Sequence, residues 1–160
     1  MNLAALLSPE RVKCRVAARS RKHTLDLLGQ LFARTSGGQV SATEAFDAMI
    51  SRERLGCTAV GNGVAMPHGR LGGIDTPMGA FVRLAQPVAF DTPDDMPVDL
   101  VFALLVPEKS EACSSAELAE LARLFSDPDF RKRLRTASDA RTLYEQFAAP
   151  TQRPAASATG

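Results

Sequence analysis

The run "VDLVFALLV", residues 98–106, carries the strongest architectural signal in the chain. It is almost entirely apolar or β-branched and is closed by Pro107. An unbroken apolar run of this length, without alternation, is the pattern of a strand buried in the interior of a sheet. Upstream, 79–84 and 88–90 read as further strands, with a loop over "DTPDD", residues 91–95. Residues 11–16 alternate in part, through Val12, Cys14 and Val16, and read as another strand. Helical patterns surround these strands. Leu25, Leu28, Leu31 and Phe32 recur at helical spacing over about 20–34, and "SGG" at 36–38 ends that run. "SATE" at 41–44 is a capping box opening a helix to about Arg54, with Phe46, Met49 and Ile50. Beyond the central strand, residues 115–126 place Leu118, Leu121, Leu124 and Phe125 on one helix face. Asp127-Pro128 opens a helix to about Arg135, and Ser138 caps a last one to about Phe147. Strands and helices interleave, so the expected class is α/β: one domain over 1–148, a mixed sheet with helices on both faces. The small, polar, proline-bearing stretch 149–160 is expected to be a disordered tail.

Composition narrows the function classes. The 160 residues suit one hydrophobic core. A net charge of +1 gives no electrostatic case for nucleic acid. The basic residues within 11–22 and 131–141 read as solvated faces and helix ends. No stretch approaches the roughly 20 apolar residues that span a bilayer, so no membrane insertion is expected. "MNLAALLSPERVK" lacks the charged start of a signal peptide, and a cytoplasmic location is expected. Cys14, Cys57 and Cys113 are scattered, and with two histidines they make no metal site; no metal or cofactor is expected. His23 reads as a surface residue of the first long helix.

One of those two histidines stands in "GNGVAMPHGR", residues 61–70. Gly61 and Gly63 permit positive φ, Asn62 tolerates it, and Pro67 fixes its own φ. This reads as a stiff turn presenting His68 among small residues. A neutral imidazole is a nucleophile that can take a phosphoryl group as a phosphoramidate. Glycine-turn amides and an arginine fork are the donors such a group needs. Arg70 is two residues on, and Arg52 and Arg54 lie on the preceding helix end. From spacing alone three readings stand: a catalytic or phosphoryl-carrying histidine, a metal ligand, or a loop residue with a satisfied side chain.

The stretch "SRERLGCTAVGNGVAMPHGRL", residues 51–71, resembles the active-site signature of the mannitol–fructose IIA proteins of the bacterial phosphotransferase system. "PVAFDTPDDMPVDLVFALLVP" at 87–107 and "LAELARLFSDPDFRKRLRTASDARTLY" at 118–144 resemble the same family. The likeness runs from residue 2 to about 147. The stand-alone length and the start "MNLAALLSPERV" look most like the nitrogen-related, regulatory branch.

The resemblance implies the family's fold and makes His68, in "PHG", the phosphoryl acceptor through its outer ring nitrogen. It implies an HPr-like phosphocarrier protein of the NPr type as donor, and regulatory targets such as potassium transport or sensor kinases. Arg52 matches the arginine that holds the phosphoryl oxygens; Asn62 matches the asparagine of the turn, with Gly63 beside it. Met66, Arg70 and Leu71, with Met78 near them, are candidates for docking a carrier protein. Many members carry a second histidine at the start of the helix after the "LLVP" strand. That position here is Ser114, which can donate one hydrogen bond to a phosphoryl oxygen or simply cap its helix. Cys57 stands where the family usually has serine. Two alternatives remain: a sugar-specific IIA component donating to a IIB domain, and a binding protein that keeps the fold without transferring phosphate.

Overall fold

A computed structural model describes residues 3–56, 58–90, 92–109 and 113–148. The disorder expected of 149–160 and any role of Cys57 fall outside them. The central strand is where the sequence puts it. β6 (Val98–Pro107) pairs on one side, antiparallel, with β5 (Met78–Val88). β5 pairs in turn, parallel, with β1 (Val12–Val16). The other side of β6 takes two short strands end to end, both parallel to it: β3 (Val64–Ala65) and β4 (His68–Leu71). β2 (Ala59–Gly61) closes that edge, antiparallel to β3. Among the described residues this is one six-stranded mixed sheet.

Helices cover both faces. α2 (Arg21–Thr35) and α3 (Ala42–Leu55) pack on one; α1 (Leu3–Leu6), α4 (Cys113–Phe125), α5 (Pro128–Thr136) and α6 (Ala140–Ala148) pack on the other. The pleat of β6 feeds both cores by alternation. Val101, Ala103 and Leu105 join Leu25, Leu28, Phe32 and Met49 beneath α2 and α3. Leu100, Phe102, Leu104 and Val106 join Phe81, Phe125, Phe130 and Phe147 beneath the other helices. That double burial is why the run reads as unbroken apolar.

The caps read at Ser41 and Asp127 are present, and Ser20 caps α2. Ser20 Oγ accepts the His23 amide at 3.0 Å, Ser41 Oγ the Glu44 amide at 3.0 Å, and Asp127 Oδ1 the Asp129 amide at 2.9 Å. Two expectations are corrected. The strands expected at 79–84 and 88–90 are one strand whose register shifts between Arg83 and Val88, around the exposed Ala85-Gln86-Pro87. β2, over Ala59–Gly61, is too short for the sequence to show a period. The last helix is capped by Asp139, whose Oδ1 accepts the Thr142 amide at 2.8 Å, not by Ser138.

Candidate functional site

His68 opens β4, a strand and not a turn, on the edge of the sheet beyond β6. Two backbone contacts fix the approach to it. The Met66 amide donates to Thr58 O at 3.0 Å, and the Leu104 amide donates to Pro67 O at 2.9 Å. Pro67 has no amide to give a ladder, so β3 and β4 are separate strands on one edge. Gly69 and Leu71 face α3, and alternation sends His68 and Arg70 the other way.

Gly69 is required by α3. A Cβ at Gly69 would lie 2.8 Å from Ala48 C, O and Cβ. Only a residue without a side chain lets the helix sit against the strand, and the helix end that carries Arg52 is positioned with it. Arg52 Nη1 donates to the Gly56 carbonyl at 3.0 Å, covering an otherwise open acceptor at the α3 C-terminus.

His68 is half-buried, and its Nδ1 lies 2.9 Å from the Met66 carbonyl oxygen. A carbonyl can only accept, so Nδ1 carries the proton and Nε2 keeps the ring's lone pair. Burial pushes the His68 pKa below its ordinary 6.5; the Met66 hydrogen bond opposes this, the Arg52 charge adds to it, and Glu53 opposes it. The imidazole is therefore neutral at physiological pH.

The ring opens into a cleft of ≈ 730 Å³ between α3, β4 and the edge of α4, lined among others by Ser51, Arg52, Arg70 and Leu118. Leu55, 84% exposed, stands on its rim. Arg70 Nη1 donates to Glu108 O at 3.4 Å. Ser114 lies in the first turn of α4, four residues before Leu118. The structure thus gathers Arg52 and Arg70 about His68.

It does not bring Asn62 and Gly63 there. They form the β2–β3 hairpin tip, with φ of 59° and 78°. The Asn62 amide donates to Asp94 Oδ2 at 2.8 Å, and the Asn62 carbonyl accepts from Arg135 Nη2 at 2.7 Å. The Gly63 carbonyl receives the Asp99 and Leu100 amides, each at 3.0 Å. His68 aligns with Leu104, so the hairpin lies roughly four strand residues away, about 13 Å. The expected phosphate contacts of Asn62 and Gly63 are corrected on that ground: their positive φ values make a hairpin, not an anion cradle. Met66 is corrected likewise. It is 7% exposed and packs in the core beneath α4 and α6, so it offers no docking rim. Leu71, also 7% exposed, lines the cleft only from within. Met78 is buried under α2 and α3.

Glu53 was not among the residues singled out. Its side chain is 1% exposed; Oε2 accepts the Thr58 hydroxyl at 2.5 Å and Oε1 lies 3.9 Å from Arg21 Nη1. The available signal was its phase: Ala45, Met49 and Glu53, four residues apart, are the buried stripe of α3. Among the described residues no group of three or more His, Cys, Asp or Glu is placed to hold a metal ion. Nor is any helix among them long and apolar enough to cross a membrane.

Residues 5–149 match the family described as the phosphoenolpyruvate-dependent sugar phosphotransferase system, EIIA 2. The chain belongs to that family. This EIIA 2 protein is 40% identical over 150 residues to a nitrogen regulatory protein of Bradyrhizobium diazoefficiens, covering 94% of this chain and 97% of the relative. Among solved structures, the nitrogen regulatory protein IIA-Ntr of Neisseria meningitidis superposes with a TM-score of 0.84 at 36% identity, over 91% of this chain and 98% of that one. The mannitol IIA enzyme of Escherichia coli, solved in complex with phosphorylated mannitol IIB, shares the fold: TM-score 0.73, 20% identity, 89% and 99% coverage. The single α/β domain with its mixed sheet is thus the EIIA 2 fold, and the protein is a component of the phosphotransferase system.

Proposed function

We propose that this EIIA 2 protein is a regulatory phosphocarrier of the cytoplasm whose acceptor atom is His68 Nε2. The observation that supports this most directly is the hydrogen bond from Nδ1 to the Met66 carbonyl, which leaves Nε2 as the nucleophile, facing a cleft with two arginines. In the transfer, the N–P bond of a phosphohistidine on a small HPr-like carrier of the NPr type breaks as the bond from phosphorus to Nε2 forms. The donor histidine recovers its electron pair. The Nδ1 proton stays on the His68 ring, and the Met66 carbonyl stabilises the positive charge the ring acquires. Arg52 and Arg70 receive the equatorial phosphoryl oxygens, and Ser114 donates a further hydrogen bond where other family members carry a second histidine.

The regulatory assignment rests on the relatives, which are named nitrogen regulatory proteins. Phosphorylation adds about −1.5 to −2 charges at an open cleft rimmed by Leu55, enough to create or block an interface. Targets of the kind implied by the resemblance, potassium transport proteins or sensor kinases, would read that change. A second reading, donation to a IIB domain, draws on the mannitol IIA–IIB complex of the same fold.

The test is intact mass after incubation with phosphoenolpyruvate and the purified general carrier proteins. Wild type should gain about 80 Da, lost in acid, as a phosphoramidate is. His68→Ala should gain nothing, and Arg52→Ala should charge roughly 10²-fold more slowly. An uncharged wild type beside a working control IIA protein would refute the phosphocarrier reading and leave the binding-only one. Rapid discharge onto a IIB domain would favour the sugar-transport reading.

A further inference from the structure

The sequence holds two basic runs, 11–22 and 131–141, that read separately as solvated surface. The fold brings them together, away from His68. Arg15 of β1, Arg83 of β5 and Arg135 of α5, with Asp99 of β6, line a concavity of ≈ 380 Å³ closed by Leu84 and Ala85. That is a small-ligand volume.

Two of the three guanidinium groups are held in place by the fold. Arg83 Nη1 donates to the carbonyls of Leu134, Arg135 and Ala137 at 2.8, 3.1 and 2.7 Å, and Nη2 to Cys14 Sγ at 3.0 Å. Arg135 Nε and Nη2 hold Asp99 Oδ2 and Oδ1 at 3.0 and 2.8 Å. Nη2 also holds Asn62 O, so among the described residues its Nη1 is unused. Arg15 differs. Its φ is +57°, in the left-handed region, where the β1–β5 register breaks between Lys13 and Val16. A bulge of this kind re-aims a side chain. The Arg15 side chain makes no hydrogen bond or ion pair among the described residues; Asp139, which feels its charge, is already bonded to the Thr142 amide. A strained backbone therefore carries an unpaired cation to a place where two more cations converge and the one lining carboxylate is already engaged. Neither feature helps folding. Strain kept at such a point marks a site.

We propose that this concavity binds a small phosphate-bearing anion, inorganic phosphate or the phosphomonoester of a metabolite, with Arg15 as the principal ligand. Arg83 and Arg135 supply fixed positive charge, and Arg15 closes a planar fork on the phosphate oxygens. The site lies at the opposite end of β6 from the His68 cleft: Arg83 aligns with Leu100, His68 with Leu104.

The test is a titration followed by amide NMR shifts, on the full chain carrying His68→Ala so that no phosphoryl transfer intrudes. Inorganic phosphate and glycerol 3-phosphate are the probes, and sodium chloride at equal ionic strength is the control. Saturable shifts are expected at residues 15, 83–85, 99 and 135, with a midpoint that Arg15→Gly raises at least tenfold. A tighter midpoint for glycerol 3-phosphate identifies a phosphomonoester ligand; the reverse identifies phosphate itself. Glycine suits positive φ, so Arg15→Gly should also melt about 2–4 °C higher. Arg15→Asn, likewise suited to that backbone, should lose the same binding. Shifts no larger than those from chloride, shifts confined to residues 52 and 68–70, or affinity unchanged in both variants would overturn the proposal.

Discussion

A histidine accepts an electrophile only while one ring nitrogen keeps its lone pair. His68 meets that condition twice: the Met66 carbonyl fixes which nitrogen, and burial, reinforced by Arg52, extends the pH range over which it holds. The acid limb of the pH–rate profile for phosphoryl acceptance should therefore have its midpoint below 6.5, the ordinary histidine value. A pH–rate profile with a midpoint at or above 6.5 would contradict this. Folding stability has the same sign. With a lowered native pKa, the native state binds fewer protons than the unfolded chain between that pKa and 6.5. The contribution of His68 is thus complete above 6.5 and is lost as pH falls through that interval. At this scale the sequence was partly legible. His68 and Arg52 belong to a motif with a chemical reason. Glu53 did not, because a carboxylate among polar neighbours shows its burial only through helical phase. Asn62 and Gly63 misled, because positive φ serves a hairpin as readily as an anion.

The contact of α3 with β4 is the joint on which the site rests. Gly69→Ala places a methyl 2.8 Å from the Ala48 backbone, and backbone cannot swing aside as a side chain can. The helix must lift, at a cost of about 1–3 kcal/mol. Arg52 would move with it. Chemical denaturation should show the loss of stability. Charging of folded Gly69→Ala should be slower than wild type, whereas unchanged values of both would mean that α3 is not seated by this glycine. Elements were legible where local chemistry sets them: capped helices and the doubly buried β6. Those set by tertiary pairing were not. β2 and β4 are short strands that exist because β3 and β6 offer them partners. The gap expected within β5 is a register shift that the ladder spans.

The whole molecule is two cores separated by one sheet, and they differ in kind. The core beneath α4–α6 is aromatic: among Phe81, Phe102, Phe125, Phe130 and Phe147, contacting rings have centroids 4.9–6.5 Å apart. Phe102, at the centre of β6, touches three of these rings. Phe102→Ala should cost about 3–5 kcal/mol in urea unfolding, far more than an exposed change such as Leu55→Ala. A loss under 1 kcal/mol would mean that this core collapses around the gap. The sequence showed that both faces would be covered. That the site would fall at the sheet's edge, between a helix from each layer, depends on strand order, which no local pattern encodes. The tether on Nδ1 has one more consequence, for a population of molecules. A ring engaged at one nitrogen is derivatised at the other, so electrophiles entering the cleft give a single regioisomer. Under the transfer proposed for His68, the pool of modified chains is then chemically uniform, and every member discharges with the same group-transfer potential.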